Sequence, residues 1–290
     1  MNSLKTDKKA ARFDRMMARL NLLRAGLAIC LLPAHCAAAQ PQSPLKLRGI
    51  AMAEARQGIA VDARFIYAID SRAVAKYDKQ SGRLMKRWQA GPTHPLIHLD
   101  SGVVHEAKLY CGHSNYPDLP MSSSVEIWDC ESLEHIGSHD LGSAWGSCTW
   151  IDRFDDLWWV ACGHYDRFAA QTGNDNRWTV LVQFNDAWQS LATWTFPDSL
   201  LTRFKPMSCS GGSWGPDRRL YVTGHDSAEL YVLRLPTSGS VLEWLATVPA
   251  DIRGQGIAWD RSEPAVLYGI KRRTRQAVVY KFSGLPADAR

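Results

Sequence analysis

The chain has 290 residues, 46% of them hydrophobic and 22% charged, the balance of an ordinary globular protein rather than a disordered or low-complexity one. Its formal charge of +5 resides at the N-terminus, where residues 1–39 hold seven basic and two acidic residues, while the remaining 251 residues carry 27 of each. A neutral body gives no compositional support for a nucleic-acid partner.

The N-terminal segment reads as a leader. Lys5, Lys8, Lys9, Arg12, Arg15, Arg19 and Arg24 form a basic run, Ala25 to Leu32 is a short apolar core, and Ala37-Ala38-Ala39 offers small-residue cleavage. That order is a secretory signal peptide over residues 1–39, and its core is too short to anchor the chain in a bilayer. The expectation is a periplasmic or secreted protein without stable membrane insertion, its one domain spanning residues 40–290. Cys30 and Cys36 would leave with the leader. Cys111, Cys130, Cys148, Cys162 and Cys209 remain, so at least one thiol stays unpaired, and no CxxC occurs.

From there the chain repeats about every 45–50 residues. Each unit opens with a small residue, a few apolar residues and an acid: Gly58-Ile-Ala-Val-Asp62, Gly102-Val-Val-His-Glu106, Cys148-Thr-Trp-Ile-Asp152, a looser Gly212-Ser-Trp-Gly-Pro-Asp217, and Gly256-Ile-Ala-Trp-Asp260. A second apolar strand follows in every copy. The third alternates clearly, as in Ala73 to Asp78, Ser124 to Asp129 and Ala277 to Phe282, and turn residues lead to a fourth. Period-2 runs broken by Gly, Pro, Asp and Ser predict antiparallel strands.

Four strands per unit make the blade of a β-propeller. The predicted fold is all-β and five-bladed, with blades over residues 56–92, 97–143, 146–200, 207–250 and 254–290. The last unit lacks a fourth strand, and segment 45–53 is expected to supply it and so close the ring.

One face of such a ring collects the starts of first strands and the ends of second strands. Gly-His occurs there three times, placing His113, His164 and His225 at like points of blades two to four. Converging imidazoles could hold a divalent metal, zinc or similar. The alternative is three histidines bonding backbone groups between blades. Their strand spacing is uneven, which opposes a common facing, because strand side chains alternate. Asp166 and Asp226, just behind two of the histidines, are candidate bases; as loop-starting residues they could equally bond their own backbone. Asp70, His98, Asp100, Asn115, Tyr165, Arg253, Gln255 and Lys271 are candidate ligand contacts on the same face, with Arg253 or Lys271 suited to a substrate carboxylate. The tryptophans fall mostly on strands, as inter-blade packing would require.

The strings Gln57 to Asp62, His113 to Pro117, Ser123 to Asp129, Gly146 to Trp150 and Gly254 to Asp260 together resemble a group of exported bacterial propeller proteins labelled cycloisomerase-like. A more distant likeness is to the plant-type five-bladed glutaminyl cyclases, which carry a Gly-Glu-Gly opening where this chain has Asp100-Ser101-Gly102. The resemblance implies a cyclase, lyase or lactone hydrolase, metal-assisted if the histidines converge, acting on a small polar molecule at the channel mouth. The alternative is a non-catalytic propeller of the cell envelope that binds a ligand or a protein.

Overall fold

A computed structural model describes residues 43–285, so the predicted signal peptide lies outside the described residues. The first strand, β1 (Leu45–Ala51), precedes five sequential units. Blade 1 is β2 (Gly58–Val61), β3 (Phe65–Asp70), β4 (Ala73–Asp78) and β5 (Leu84–Gln89). Blade 2 is β6 (His98–His105), β7 (Lys108–Ser114), β8 (Ser123–Asp129) and β9 (His135–Gly142). Blade 3 is β10 (Ser147–Phe154), β11 (Leu157–Gly163), β12 (Val180–Phe184) and β13 (Ser190–Thr195). Blade 4 is β14 (Gly211–Trp214), β15 (Leu220–Thr223), β16 (Ala228–Arg234) and β17 (Glu243–Arg253). Blade 5 is β18 (Ile257–Trp259), β19 (Val266–Lys271) and β20 (Gln276–Lys281), completed by β1.

The predicted five-bladed propeller is therefore the fold. Every sheet is a four-stranded antiparallel meander, and β1 pairs with β20 from Leu45↔Lys281 to Ala51↔Gln276. Recruiting the N-terminal strand into the last blade pins both ends of the ring to each other. A short helix that the strand pattern did not foretell, Asp198–Phe204, joins blade 3 to blade 4 and buries Leu200, Leu201 and Phe204.

Each seam between adjacent blades holds its own apolar cluster. Trp128 and Leu109 pack with Tyr67 and Ile69 between blades 1 and 2, and Trp150 and Trp159 with Trp214 and Tyr231 between blades 3 and 4. Ile59 and Ile66 meet Tyr268 and Ile270 where the ring closes. A tryptophan buries on the order of 200 Å², so the ring is held largely by its aromatic seams. Polar ties cross them too: Lys79 of blade 1 is ion-paired to Asp260 and, at 3.0 Å, to Glu263 beside blade 5.

In blades 1 and 4 the acid that closes the inner-strand motif bonds within its own blade. Asp62 Oδ1 accepts the backbone N–H groups of Arg64 and Phe65, and its Oδ2 accepts the Tyr67 hydroxyl at 2.9 Å. Asp217 and Tyr221 repeat that last bond at 3.0 Å.

Inner strands crowd the axis. A Cβ on Gly58 would lie 2.5 Å from Ser101 Cα, and one on Gly256 2.3 Å from Ser101 Oγ, so only glycine fits at either place. Blades 1, 2 and 5 meet there, between a polar cavity lined by Gln57, Asp100 and Gln255 and a smaller one lined by Val61, Val103 and Asp152 among others.

Candidate functional site

The polar cavity has a volume of about 170 Å³. Its walls are Gln57, His98, Asp100, Tyr116, Thr149, Tyr165, Met207, Ser210, His225, Gln255 and Arg272, drawn from all five blades and their connections. Of the expected ligand contacts, His98, Asp100, Tyr165 and Gln255 meet here, joined by His225 from the expected metal set.

Backbone irregularity aims two of these side chains. In β6 the register to β7 shifts between Leu99 and Gly102, and in β10 the register to β11 shifts between Cys148 and Trp150. Each shift inserts one extra residue in the inner strand. Asp100 lies within the first irregularity and Thr149 within the second, and both line the cavity. Such bulges re-aim side chains beside functional sites. The inner strands of blades 1, 4 and 5 pair with their neighbours without a shift.

Asp100 is 4% exposed. Among the described residues its carboxyl accepts no hydrogen bond, and its ionic contact is with His98, whose Nε2 lies 3.4 Å from Oδ2. Burial pushes the Asp100 carboxyl well above the ordinary carboxylate range, against the opposing pull of Arg272. Burial also takes the His98 imidazole down to about 4, helped by the charges of His113 and Arg272. Burial thus favours the uncharged form of both groups, a carboxylic acid beside a neutral imidazole. Tyr116 packs over the His98 ring with centroids 4.8 Å apart.

Arg272 reaches the same cavity. Its Nη1 donates to His225 Nε2 at 2.6 Å, and because a guanidinium stays protonated, His225 accepts there and donates from Nδ1 to Asp226 Oδ1 at 2.8 Å. Sequence reasoning chose Lys271, one residue away, and missed Arg272. Tyr116, Thr149 and Met207 were missed as well, Tyr116 because it belongs to an irregular loop.

The three Gly-His imidazoles do not converge. His113 is inside β7, where its Nε2 accepts the Ile97 N–H at 3.3 Å and its Nδ1 donates to Ser124 Oγ at 2.9 Å. His164 follows β11, donates from Nε2 to the Trp145 carbonyl at 3.0 Å, and lines a separate cavity. His225 alone reaches the central cavity. The uneven spacing is the physical reason, since one histidine is a strand residue and two belong to the loops that follow. Among the described residues no group of three or more His, Cys, Asp or Glu side chains is placed to hold a metal.

The two expected bases also lie elsewhere. Asp166 accepts the Asn176 N–H at 3.1 Å and pairs with Lys205 at 3.0 Å, bracing the loop between β11 and β12. Asp226 is largely exposed and orients His225. Asp70 accepts the Ser71 N–H and faces Arg56 and Arg275. Asn115 ties its own loop through Pro120 O and the Ser122 N–H. Arg253 and Lys271 border a basic cavity beside the central one, which Arg272 also lines.

The five cysteines of the propeller are all buried and free, the small-core-residue reading of the sequence. Trp145 packs edge-on against Phe184, with centroids 6.2 Å apart. The separate cavity beneath loops 115–122 and 165–176 has a volume of about 460 Å³ and is lined by Leu119, Met121, His164, Tyr165 and Phe168 among others.

No protein-family model and no curated protein matches the sequence. The solved structure of U3-55K is similar over 83% of this chain and 100% of its own, at 10% identity and a TM-score of 0.42. The propeller architecture rests on the strand pairing itself. Among the described residues no helix is long and apolar enough to cross a membrane.

Proposed function

We propose that the central cavity is the active site of an exported small-molecule cyclase, lyase or lactone hydrolase that works by proton transfer between Asp100 and His98. The observation that carries this reading is the buried pair itself. Its two groups sit 3.4 Å apart in a cavity, with burial driving their titrations in opposite directions, the carboxyl up and the imidazole down. Lactone opening, lactonisation and elimination each need one proton delivered to an oxygen and one removed, the two transfers that a carboxyl and an imidazole side by side can make. Arg272, fixed on His225, is the natural partner of a substrate carboxylate. Metal assistance has no step in this reading, because the three imidazoles point to different neighbours.

Asp100 also stands one residue from the position that carries Glu in the glutaminyl cyclases. Ser101 occupies that position, buried and with its hydroxyl unpartnered among the described residues. Cavity size restricts the reacting end to a few heavy atoms.

The test is conversion of a panel of small hydroxy-acid lactones and unsaturated dicarboxylic acids, followed by proton NMR. The native protein is expected to convert at least one class, and Asp100→Asn to slow it by about 100-fold or more. Conversion unaffected by that change sinks the assignment. Binding without conversion favours the second reading, a non-catalytic ligand-binding propeller of the cell envelope. That reading draws on the cavity of about 460 Å³ at His164 and Phe168, which has the size of an ordinary ligand pocket.

A further inference from the structure

Beside the central cavity lies a basic shelf. Arg253, at the end of β17, and Lys271, Arg272, Arg273 and Thr274, in the hairpin from β19 to β20, surround a cavity of about 440 Å³ together with Asp251. Asp251 is the one acid there, and it is already shared by Lys46 at 3.1 Å and Lys271 at 2.7 Å. The side chains of Arg253 and Arg273 make no hydrogen bond or ion pair among the described residues. Other arginines and lysines close to acids are matched, Arg203 with Glu229, Arg177 with Asp175 and Lys205 with Asp166, so what sets the shelf apart is that its cations line one cavity. In a body whose basic and acidic residues balance, two unmatched guanidinium groups beside a third are held together against their own repulsion.

The hairpin that carries them is well tied. Thr274 N–H bonds the Lys271 carbonyl at 3.1 Å, and Arg275 Nη1 bonds the Ala53 carbonyl at 2.6 Å. Arg272 lines both cavities, and its bond to His225 uses one of five N–H groups, leaving its other edge to a ligand.

We propose that this shelf is an anion subsite that takes an oxyanion group, phosphate or carboxylate, of a small molecule whose other end enters the central cavity. Arg253, Arg272 and Arg273 form the planar, bidentate donors that such a group selects. The substrate of the reaction proposed above then carries two anionic groups, one on the shelf and one near Asp100. This step rests on the central cavity being the reacting site, but the binding it predicts is measurable without turnover.

The experiment is titration of the full chain with inorganic phosphate, followed by phosphorus NMR, and in parallel with a short dicarboxylate, followed by calorimetry. Three proteins are compared: native, Arg253→Ala/Arg273→Ala, and Lys86→Ala/Lys108→Ala, which removes two exposed cations that line neither cavity. Native protein and Lys86→Ala/Lys108→Ala should bind at least one anion alike. The double arginine variant should bind about tenfold more weakly or worse. Added neutral salt should weaken the native affinity. The stronger of the two anions identifies the group the shelf is built for. Both arginines are exposed, so the double arginine variant should keep the native unfolding midpoint. Equal binding by the native and double-arginine-variant proteins, or binding of neither anion by the native one, overturns the subsite. Retained anion binding in a protein that converts no lactone or acid would sink the acid–base reading while the shelf stands.

Discussion

Two aspartates lie buried on inner strands toward opposite ends of the same channel, and their surroundings differ in every respect that matters. Asp152, beside the smaller cavity, has a full set of donors: Ser213 Oγ at 2.9 Å, the Trp214 N–H at 2.7 Å and Arg261 Nη2 at 3.0 Å. It ties blade 3 to blade 4 and, through Arg261, to the turn after β18. The cavity beside it is about 10 Å³. Asp100, at the polar end, faces a cavity of about 170 Å³ and accepts no hydrogen bond among the described residues. A fully bonded buried carboxylate is a structural part. One left unsatisfied against an open cavity raises the free energy of the fold, and such sites persist where function requires them.

The sharpest way to break that contrast is Asp152→Ala. It strands Trp214 N–H and the Arg261 charge, and unfolding should cost about 3–4 kcal/mol less, allowing for the partly exposed Arg261. Chemical denaturation measures this, and anion binding at the opposite end should survive. A loss below about 1 kcal/mol would erase the structural role of Asp152.

Next in size is the acid limb of stability. Because the His98 imidazole titrates near 4 in the folded chain and near 6.5 unfolded, the unfolded state binds the extra proton first. Its contribution is present above pH 6.5 and is lost as pH falls toward 4, for about 3 kcal/mol in all. Burial also lowers His113 and His164, which add to the same limb. Asp100 opposes it, since a raised carboxyl favours the folded state at low pH. Unfolding midpoints across this range should therefore fall less steeply in His98→Gln than in the native protein.

Gly58→Ala probes the wall between the two ends. Its Cβ meets backbone atoms of Ser101 that cannot step aside, so about 2 kcal/mol should be lost. Both cavities should be disturbed together, visible as coupled shifts of His98 and Trp259 resonances. Smallest is Asp100→Asn, which should raise stability at neutral pH by about 1 kcal/mol while removing conversion. A destabilised variant would make Asp100 a structural residue like Asp152.

The fold was largely legible because its signals are local and repeated. Small-residue starts, closing acids and alternating third strands recur in each unit, and the missing last strand pointed to segment 45–53. Of the cavity, His98, Asp100, Tyr165, His225 and Gln255 were reachable from their places at strand ends. The metal triad was not there to be read. Its members share a dipeptide and a blade position, yet His113 lies in β7 while His164 and His225 follow their strands, and a residue's step along a strand reverses where it points. Arg272 was hidden in a run of charges where Lys271 looked equivalent; Lys271 turns to Asp251 and Arg272 to His225.

By itself the sequence determined the number of blades, their strand order and the closure of the ring, because periodicity and turn chemistry are properties of short stretches. The tertiary structure alone decided which acid would be spent on holding blades together and which would face a cavity. That choice depends on one extra residue in β6 and on donors supplied by other blades, and no local pattern carries either.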